Sequence, residues 1–170
     1  MRTRYHGLMG LEHILRSKDN FIFIDFEGNP ARHLSERSIK RTPLRDVASL
    51  LHSYAHVLQV SMLREGADTV HSSFTPNQLR DIGAVWYTQV TSALIRSYWS
   101  KAEPYGFLPP THEQQEGLLN VHLLERALLD IRLLFRRYRA LVPVPLRIIL
   151  LLLGVPLPEV AEDVELAAKL

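Results

Sequence analysis

The stretch Asn20 to Gly28, N-F-I-F-I-D-F-E-G, limits the fold of this chain more than any other. Phe21, Ile22, Phe23 and Ile24 form a continuous aromatic and β-branched run, which reads as a buried strand ending at Asp25. His13 to Arg16 is a short partner strand, joined to it across the polar turn Ser17-Lys18-Asp19-Asn20. A carboxylate at the end of a buried strand is costly unless a cation or several donors receive it. Asp25 is therefore the first candidate for chemistry. The plainer alternative, that Asp25 only caps the following turn, is equally open at this point.

After residue 42 the periodicity changes from strand to helix. Thr42 is a candidate N-cap with Pro43 at the first helical position. Leu44, Val47, Ala48, Leu51, Tyr54, Ala55, Leu58 and Met62 then line one face of a helix ending near Gly66. Residues 67–75 read as a polar linker. Pro76 or Asn77 opens a second helix carrying Leu79, Ile82, Val85, Trp86, Val90, Ala93, Leu94 and Tyr98. Pro104, Gly106, Pro109 and Pro110 stop it. Thr111 with Gln114 is a capping-box pair that starts a third long helix. Arg132, Arg136, Arg137 and Arg139 sit in its last turns, where cations suit the helix dipole. Pro143 and Pro145 break the chain, and Leu146 to Leu153 reads as a short buried helix stopped by Gly154. Residues 158–170 read as a polar terminal helix. The expected architecture is mainly α: a short N-terminal β-hairpin followed by a helical bundle, one domain or one lobe of something larger.

Composition excludes several functions. There is no cysteine, hence no disulfide framework, thiolate metal site or thiol nucleophile, which fits a reducing cytoplasm. Lys plus Arg total 20 against 18 acids, a net charge of +2 that points to no nucleic-acid partner. Residues 1–6 contain no apolar run of a secretory signal. The uninterrupted apolar part of the C-terminal region, Ile148 to Leu153, is far short of the ~20 residues of a membrane span. No glycine-rich strand-to-helix phosphate loop is present. Arg32, Arg37, Lys40 and Arg41 form a basic loop able to meet an anion, although a solvated loop is the simpler reading. His52 and His56 stand at i and i+4, as a metal pair would. Ser53 occupies the place of a zinc protease's glutamate and no third ligand is evident, so helix-surface or groove-lining histidines are the better reading.

The run Asp25-Phe26-Glu27-Gly28-Asn29-Pro30, continuing through Leu34-Ser35-Glu36-Arg37 to Lys40-Arg41-Thr42-Pro43-Leu44-Arg45-Asp46-Val47-Ala48, resembles the bacterial maltokinases. These are part of the aminoglycoside-phosphotransferase-like kinase group. Phe107-Leu108-Pro109, Leu123-Leu124-Glu125-Arg126-Ala127-Leu128 and Val144-Pro145-Leu146-Arg147 resemble later landmarks of that family in the same order. The resemblance implies a kinase-like C-lobe over residues 1–153, with 154–170 as a C-terminal tail, helical in part. It implies ATP and Mg²⁺ as cofactors, with Asp25 holding the metal against the phosphates. The implied reaction is transfer of the ATP γ-phosphoryl group to the anomeric hydroxyl of maltose.

Two departures qualify that implication. The family's catalytic loop reads roughly H-G-D-x-H-L-G-Q, whereas this chain has His6-Gly7-Leu8-Met9-Gly10-Leu11-Glu12-His13. Leu8 occupies the position of the catalytic aspartate, and leucine neither accepts a proton nor orients a hydroxyl. His13 stands where the family's glutamine helps hold metal, and is carried over as a cofactor-binding residue beside Asp25. The family's ATP-gripping N-lobe also precedes this loop and has no counterpart in the sequence. The chain alone is therefore expected to be inactive as the C-terminal portion of a kinase in trehalose and glycogen metabolism. The alternative is a non-catalytic helical module that binds a trehalose synthase or another partner. Arg45 and Asp46 read as structural, clamping a loop onto the first helix. Candidates for sugar contact are Tyr54, His56, Trp86, Tyr87, His122 and Glu125; Glu125 leads, as a carboxylate near an apolar stripe, with Tyr54 beside it in rank.

Overall fold

A computed structural model describes residues 2–30, 32–65 and 74–154. It is mainly helical, with one antiparallel hairpin near the N-terminus and long helices after it. The hairpin strands are β1 (Ile14–Ser17) and β2 (Asn20–Phe23), paired Ile14 with Phe23 through Ser17 with Asn20. That register leaves Lys18 and Asp19 as a two-residue turn, and Lys18 takes the left-handed conformation (φ 51°) such turns require.

Two features of the hairpin differ from the sequence expectation. His13 is not in the strand; it ends a 3₁₀ turn, Leu11–His13, and is buried. The return strand is not buried and does not reach Asp25. Phe21, Ile22 and Phe23 are 66%, 49% and 48% exposed, and the strand stops at Phe23. A two-stranded ribbon has no third strand or helix of its own to cover its side chains, so hydrophobicity along β2 does not translate into burial.

A one-turn helix, α1 (Leu34–Arg37), interrupts the loop expected over residues 29–42. The loop is tied back by backbone pairing between Thr3 and Arg41. Helix α2 (Leu44–Glu65) begins as expected: the Thr42 hydroxyl accepts the Leu44 N–H at 3.3 Å. Helix α3 (Pro76–Ala102) begins with a reciprocal capping box. The Gln78 N–H donates to the Thr75 hydroxyl (3.3 Å), and the Thr75 N–H donates to Gln78 Oε1 (2.8 Å). Helix α4 (His112–Arg137) is capped by Thr111, whose hydroxyl accepts the Gln114 N–H. Arg139 lies just beyond it, in a 3₁₀ turn, with its guanidinium over the Phe135 ring at 5.0 Å.

Helix α5 spans Pro143–Leu152 and starts three residues earlier than the prolines suggest. Pro143 and Pro145 occupy its first turn, where backbone N–H groups have no intrahelical acceptor, so the missing donors cost nothing there. Only one face of this apolar helix is buried, through Val144, Pro145 and Ile148; Leu146, Leu151 and Leu153 are exposed. The expected linker at 67–75 and the terminal helix at 158–170 fall largely or wholly outside the described residues.

The Cα trace divides into two compact units. One comprises Met1–Ser53 with Ile95–Arg126 and holds the hairpin, the His6–His13 loop and the basic loop. Its buried apolar residues include Met9, Leu44, Val47, Ala48, Leu51, Ala102, Leu119 and Leu123. The other comprises Tyr54–Leu94 with Ala127–Leu170. Its core is Ala55, Ala127, Val144 and Ile148, with Val60, Tyr87, Ile149 and Leu152 packed against it.

Ile148→Ala removes three carbons from this second core and should cost about 2–5 kcal/mol. Thr75→Ala removes only the α3 cap and should cost about 1 kcal/mol. Urea unfolding monitored by circular dichroism separates the two, and an equal cost for both would contradict the packing described.

Candidate functional site

The loop before the hairpin is held by a carboxylate on α2. The backbone N–H groups of His6 and Gly7 donate to Asp46 Oδ2 and Oδ1 at 2.6 and 2.9 Å. Gly7 reaches this geometry in a left-handed conformation (φ 84°) that a side chain would oppose. His6 is buried and works from both ring nitrogens. Its Nε2 lies 2.7 Å from the Ile24 carbonyl, and its Nδ1 lies 3.4 Å from the Leu8 N–H. A carbonyl can only accept, so the ring carries its proton on Nε2 and leaves Nδ1 to receive Leu8. The same ring packs against Phe26 and His13, with centroids at 5.0 and 5.2 Å. Further along, the Ser53 hydroxyl accepts the Leu11 N–H at 3.2 Å and donates to the Leu50 carbonyl. Ser53 thus joins the 3₁₀ turn to α2.

The effect of these bonds is to hold Ile24 beside the loop and to present the next residue, Asp25. Asp25 has φ 62°, a left-handed conformation that costs a non-glycine residue energy, although aspartate tolerates it better than most. Its carboxylate is exposed, and its ion-pair contact is His13 Nε2 at 3.8 Å, longer than a hydrogen bond. The other His13 nitrogen, Nδ1, is buried without a hydrogen bond and lies 3.5 Å from the Glu12 carboxylate. The oxygens of Asp25 are therefore free to meet a hard cation. Magnesium takes oxygen ligands, and is commonly held by one or two carboxylates together with substrate phosphates. Asp25 fits that role; the His13 imidazole is a poor ligand for this metal. Leu8, in the same loop, offers no proton acceptor.

Glu125, on α4, is approached by two arginines and a histidine. Arg45 pairs closely with its Oε1, Arg32 approaches the same oxygen at 3.9 Å, and His122 Nδ1 lies 3.1 Å from Oε2. Both carboxylate oxygens thus already have protein partners, and the basic loop reaches this carboxylate through Arg32. Arg37 serves the loop itself, donating to the carbonyls of Arg32 and Pro30. Tyr54 belongs to the second unit, where its ring meets Trp86 edge-on at 6.0 Å. The structure therefore brings Asp25 and His13 together and gathers His122, Arg32 and Arg45 about Glu125. Among the described residues, no group of three or more His, Asp or Glu side chains converges as a metal site.

Asp46 is the electrostatic centre of the first unit. Burial pushes its carboxyl above the ordinary 3.8, opposed incompletely by the hydrogen bonds from the Gly7 and His6 N–H groups and by the charge of Arg45. Burial, and then the Asp46 carboxylate, push the Tyr98 hydroxyl up to about 12. In sequence, Arg45-Asp46 looked like a unit that clamps a loop. The structure divides the pair: Asp46 takes the loop at His6 and Gly7, and Arg45 takes Glu125. The importance of His6 was not legible beyond its place in an H-G dipeptide, because its partner, the Ile24 carbonyl, carries no sequence signal.

No protein-family model matches the sequence. Solved structures do match the fold. A glucosamine kinase in complex with glucosamine, ADP and inorganic phosphate aligns with a TM-score of 0.64 at 20% identity, over 82% of this chain and 32% of that one. A second crystal form of glucosamine kinase aligns with a TM-score of 0.66 at 20% identity, over 89% and 33%. The fold is similar to part of the glucosamine kinase fold. The chain spans about a third of the length of these enzymes. The kinase-like fold expected from the D-F-E to D-V-A run is thereby met. No described helix is long and apolar enough to cross a membrane.

The raised Asp46 value has a testable sign. The folded state takes up a proton at higher pH than the unfolded chain does, so its contribution is fully present below 3.8 and is lost as pH rises through the raised value. Relative to Asp46→Asn, the wild type should gain thermal stability as pH falls from 7 toward 4. Parallel melting curves at several pH values check this; a difference that shrinks on acidification would contradict it.

Proposed function

We propose that this chain is the C-terminal part of a maltokinase-type sugar kinase, with residues 1–153 as its lobe and 154–170 as a tail. In this reading Asp25 holds the Mg²⁺ of Mg·ATP, and maltose receives the γ-phosphoryl group at its anomeric hydroxyl. The observation that carries the reading is Asp25 itself: an exposed carboxylate in a strained left-handed conformation, anchored through Ile24 and His6 in a kinase-like fold. Strain of this kind persists where the surroundings impose it, and such positions cluster at functional sites.

Bound Mg·ATP would supply the phosphoryl group and the charge that neutralises its transfer. The protein's own part is positional. His6 and Asp46 hold the loop, and the loop holds Asp25. Transfer breaks the bond between the γ-phosphorus and the bridging oxygen and releases ADP, and the attacking hydroxyl must lose a proton. Leu8 stands where the resemblance places the group that takes it, so this chain by itself should not turn over. The glucosamine kinases support a sugar as acceptor; the choice of maltose and a cytoplasmic setting rests on the maltokinase resemblance. A second reading, a non-catalytic module that binds a trehalose synthase or another partner, is favoured by one observation. Leu15, Phe21, Ile22, Phe23 and Phe26 expose large apolar side chains on and beside the hairpin, as interaction surfaces do.

Calorimetric titration with ADP or ATP, with and without Mg²⁺, tests the first reading. Mg²⁺-dependent binding should weaken about tenfold or more in Asp25→Asn, a loss of about 1.4 kcal/mol. Stability should change by less than about 0.5 kcal/mol, since asparagine also tolerates the left-handed conformation. Binding indifferent to both Mg²⁺ and the substitution would remove the metal role. ATP- and maltose-dependent ADP release that Asp25→Asn abolishes would instead overturn the inactivity of the isolated chain.

A further inference from the structure

Between the end of α3 and the start of α4, within the first unit, lies a half-open pocket of about 430 Å³. Its size is within the range of about 300–1,000 Å³ usual for small-molecule sites. Ile95, Trp99 and Leu119 form its apolar part, and Arg96, His112, Glu116 and Asn120 its polar part. None of the residues lining it comes from the loop and hairpin segment that carries Leu8, His13 and Asp25.

The polar groups are not used alike. Glu116 is engaged by His112 one helical turn away, at 3.5 Å. The side chains of Arg96 and Asn120 have neither a hydrogen bond nor an ion pair among the described residues. A planar guanidinium and an amide, both with free donors, therefore border an apolar cavity that contains a half-buried indole. The Glu116 carboxylate in the same wall disfavours a phosphate or another compact anion. A neutral ligand with one apolar face and a rim of hydroxyls meets every part of this lining. Its C–H face can lie on Trp99, while its hydroxyls donate to Glu116 and the Asn120 oxygen and accept from Arg96.

We propose that this pocket is an accessory binding site for a neutral pyranose, separate from the Asp25 centre. It requires neither metal nor nucleotide and stands independently of the phosphoryl-transfer reading.

The chain has two tryptophans, Trp86 and Trp99, so Trp86→Phe leaves Trp99 as a sole reporter inside the pocket. Titrating this variant with glucose and with maltose should give a saturable change in fluorescence. Asn120→Ala and Arg96→Ala, both at exposed side chains, should each weaken the response about three- to tenfold, as loss of a single hydrogen-bond partner does. Asp25→Asn should leave it unchanged. Calorimetry on the chain with both tryptophans guards against damage from Trp86→Phe. The proposal fails if neither sugar saturates by roughly 100 mM, which corresponds to about 1.4 kcal/mol of binding free energy. It fails also if the Arg96 and Asn120 variants bind as the parent does. If Asp25→Asn abolishes sugar binding, the sugar sits at the Asp25 centre; the accessory site is then lost while the kinase reading survives.

Discussion

A buried carboxylate, Asp46, receives two consecutive backbone N–H groups, those of His6 and Gly7, and much of the first unit depends on that interaction. Without it the loop has two donors with no acceptor, and His6 loses the backbone position that aims its ring. The ring then makes the next connection, to the Ile24 carbonyl, and Asp25 follows directly in the chain. A carboxylate on α2 thus sets the conformation of another carboxylate, twenty-one residues earlier, through three backbone groups and one imidazole. Burial makes the arrangement costly, as the upward push on Asp46 and Tyr98 shows. Two charge-assisted hydrogen bonds offset part of that cost.

The site is complete in its support and sparse in its reacting groups. His6, Gly7, Ser53 and Asp46 form a connected frame. What the frame presents is one exposed aspartate, a histidine ill-suited to magnesium, and a leucine with no proton chemistry. The bonds of this frame run to backbone atoms and are indifferent to the side chain at position 8. The fold likeness to glucosamine kinase and the absence of an acceptor at Leu8 are therefore compatible.

Helix boundaries were largely legible in the sequence, because caps act locally. Thr42 and Thr111 mark α2 and α4 where their hydroxyls accept N–H groups two or three residues on. The box at Thr75 and Gln78 carries the same signal in T-P-N-Q, and α3 opens at Pro76, one of the two starts the sequence offers. Prolines misled at α5, since a first-turn proline starts a helix as readily as an interior one ends it. Glu125 was legible as a carboxylate beside an apolar stripe. His122, one turn before it on α4, is a local partner; its arginine partners were not legible, because Arg45 is 80 residues away and Arg32 farther still.

The sequence by itself determined the hairpin and the long helices, the lack of thiol chemistry and the identity of Asp25 as the carboxylate worth following. Periodicity, caps and composition are local or additive properties, and a single chain displays them in full. Only the tertiary structure decided that β2 is exposed, that Asp25 takes a left-handed conformation, and that Asp46 rather than Arg45 holds the loop. Each of these depends on which distant group comes within about 3 Å, and a hydrogen bond to a backbone carbonyl or N–H leaves no trace in residue type.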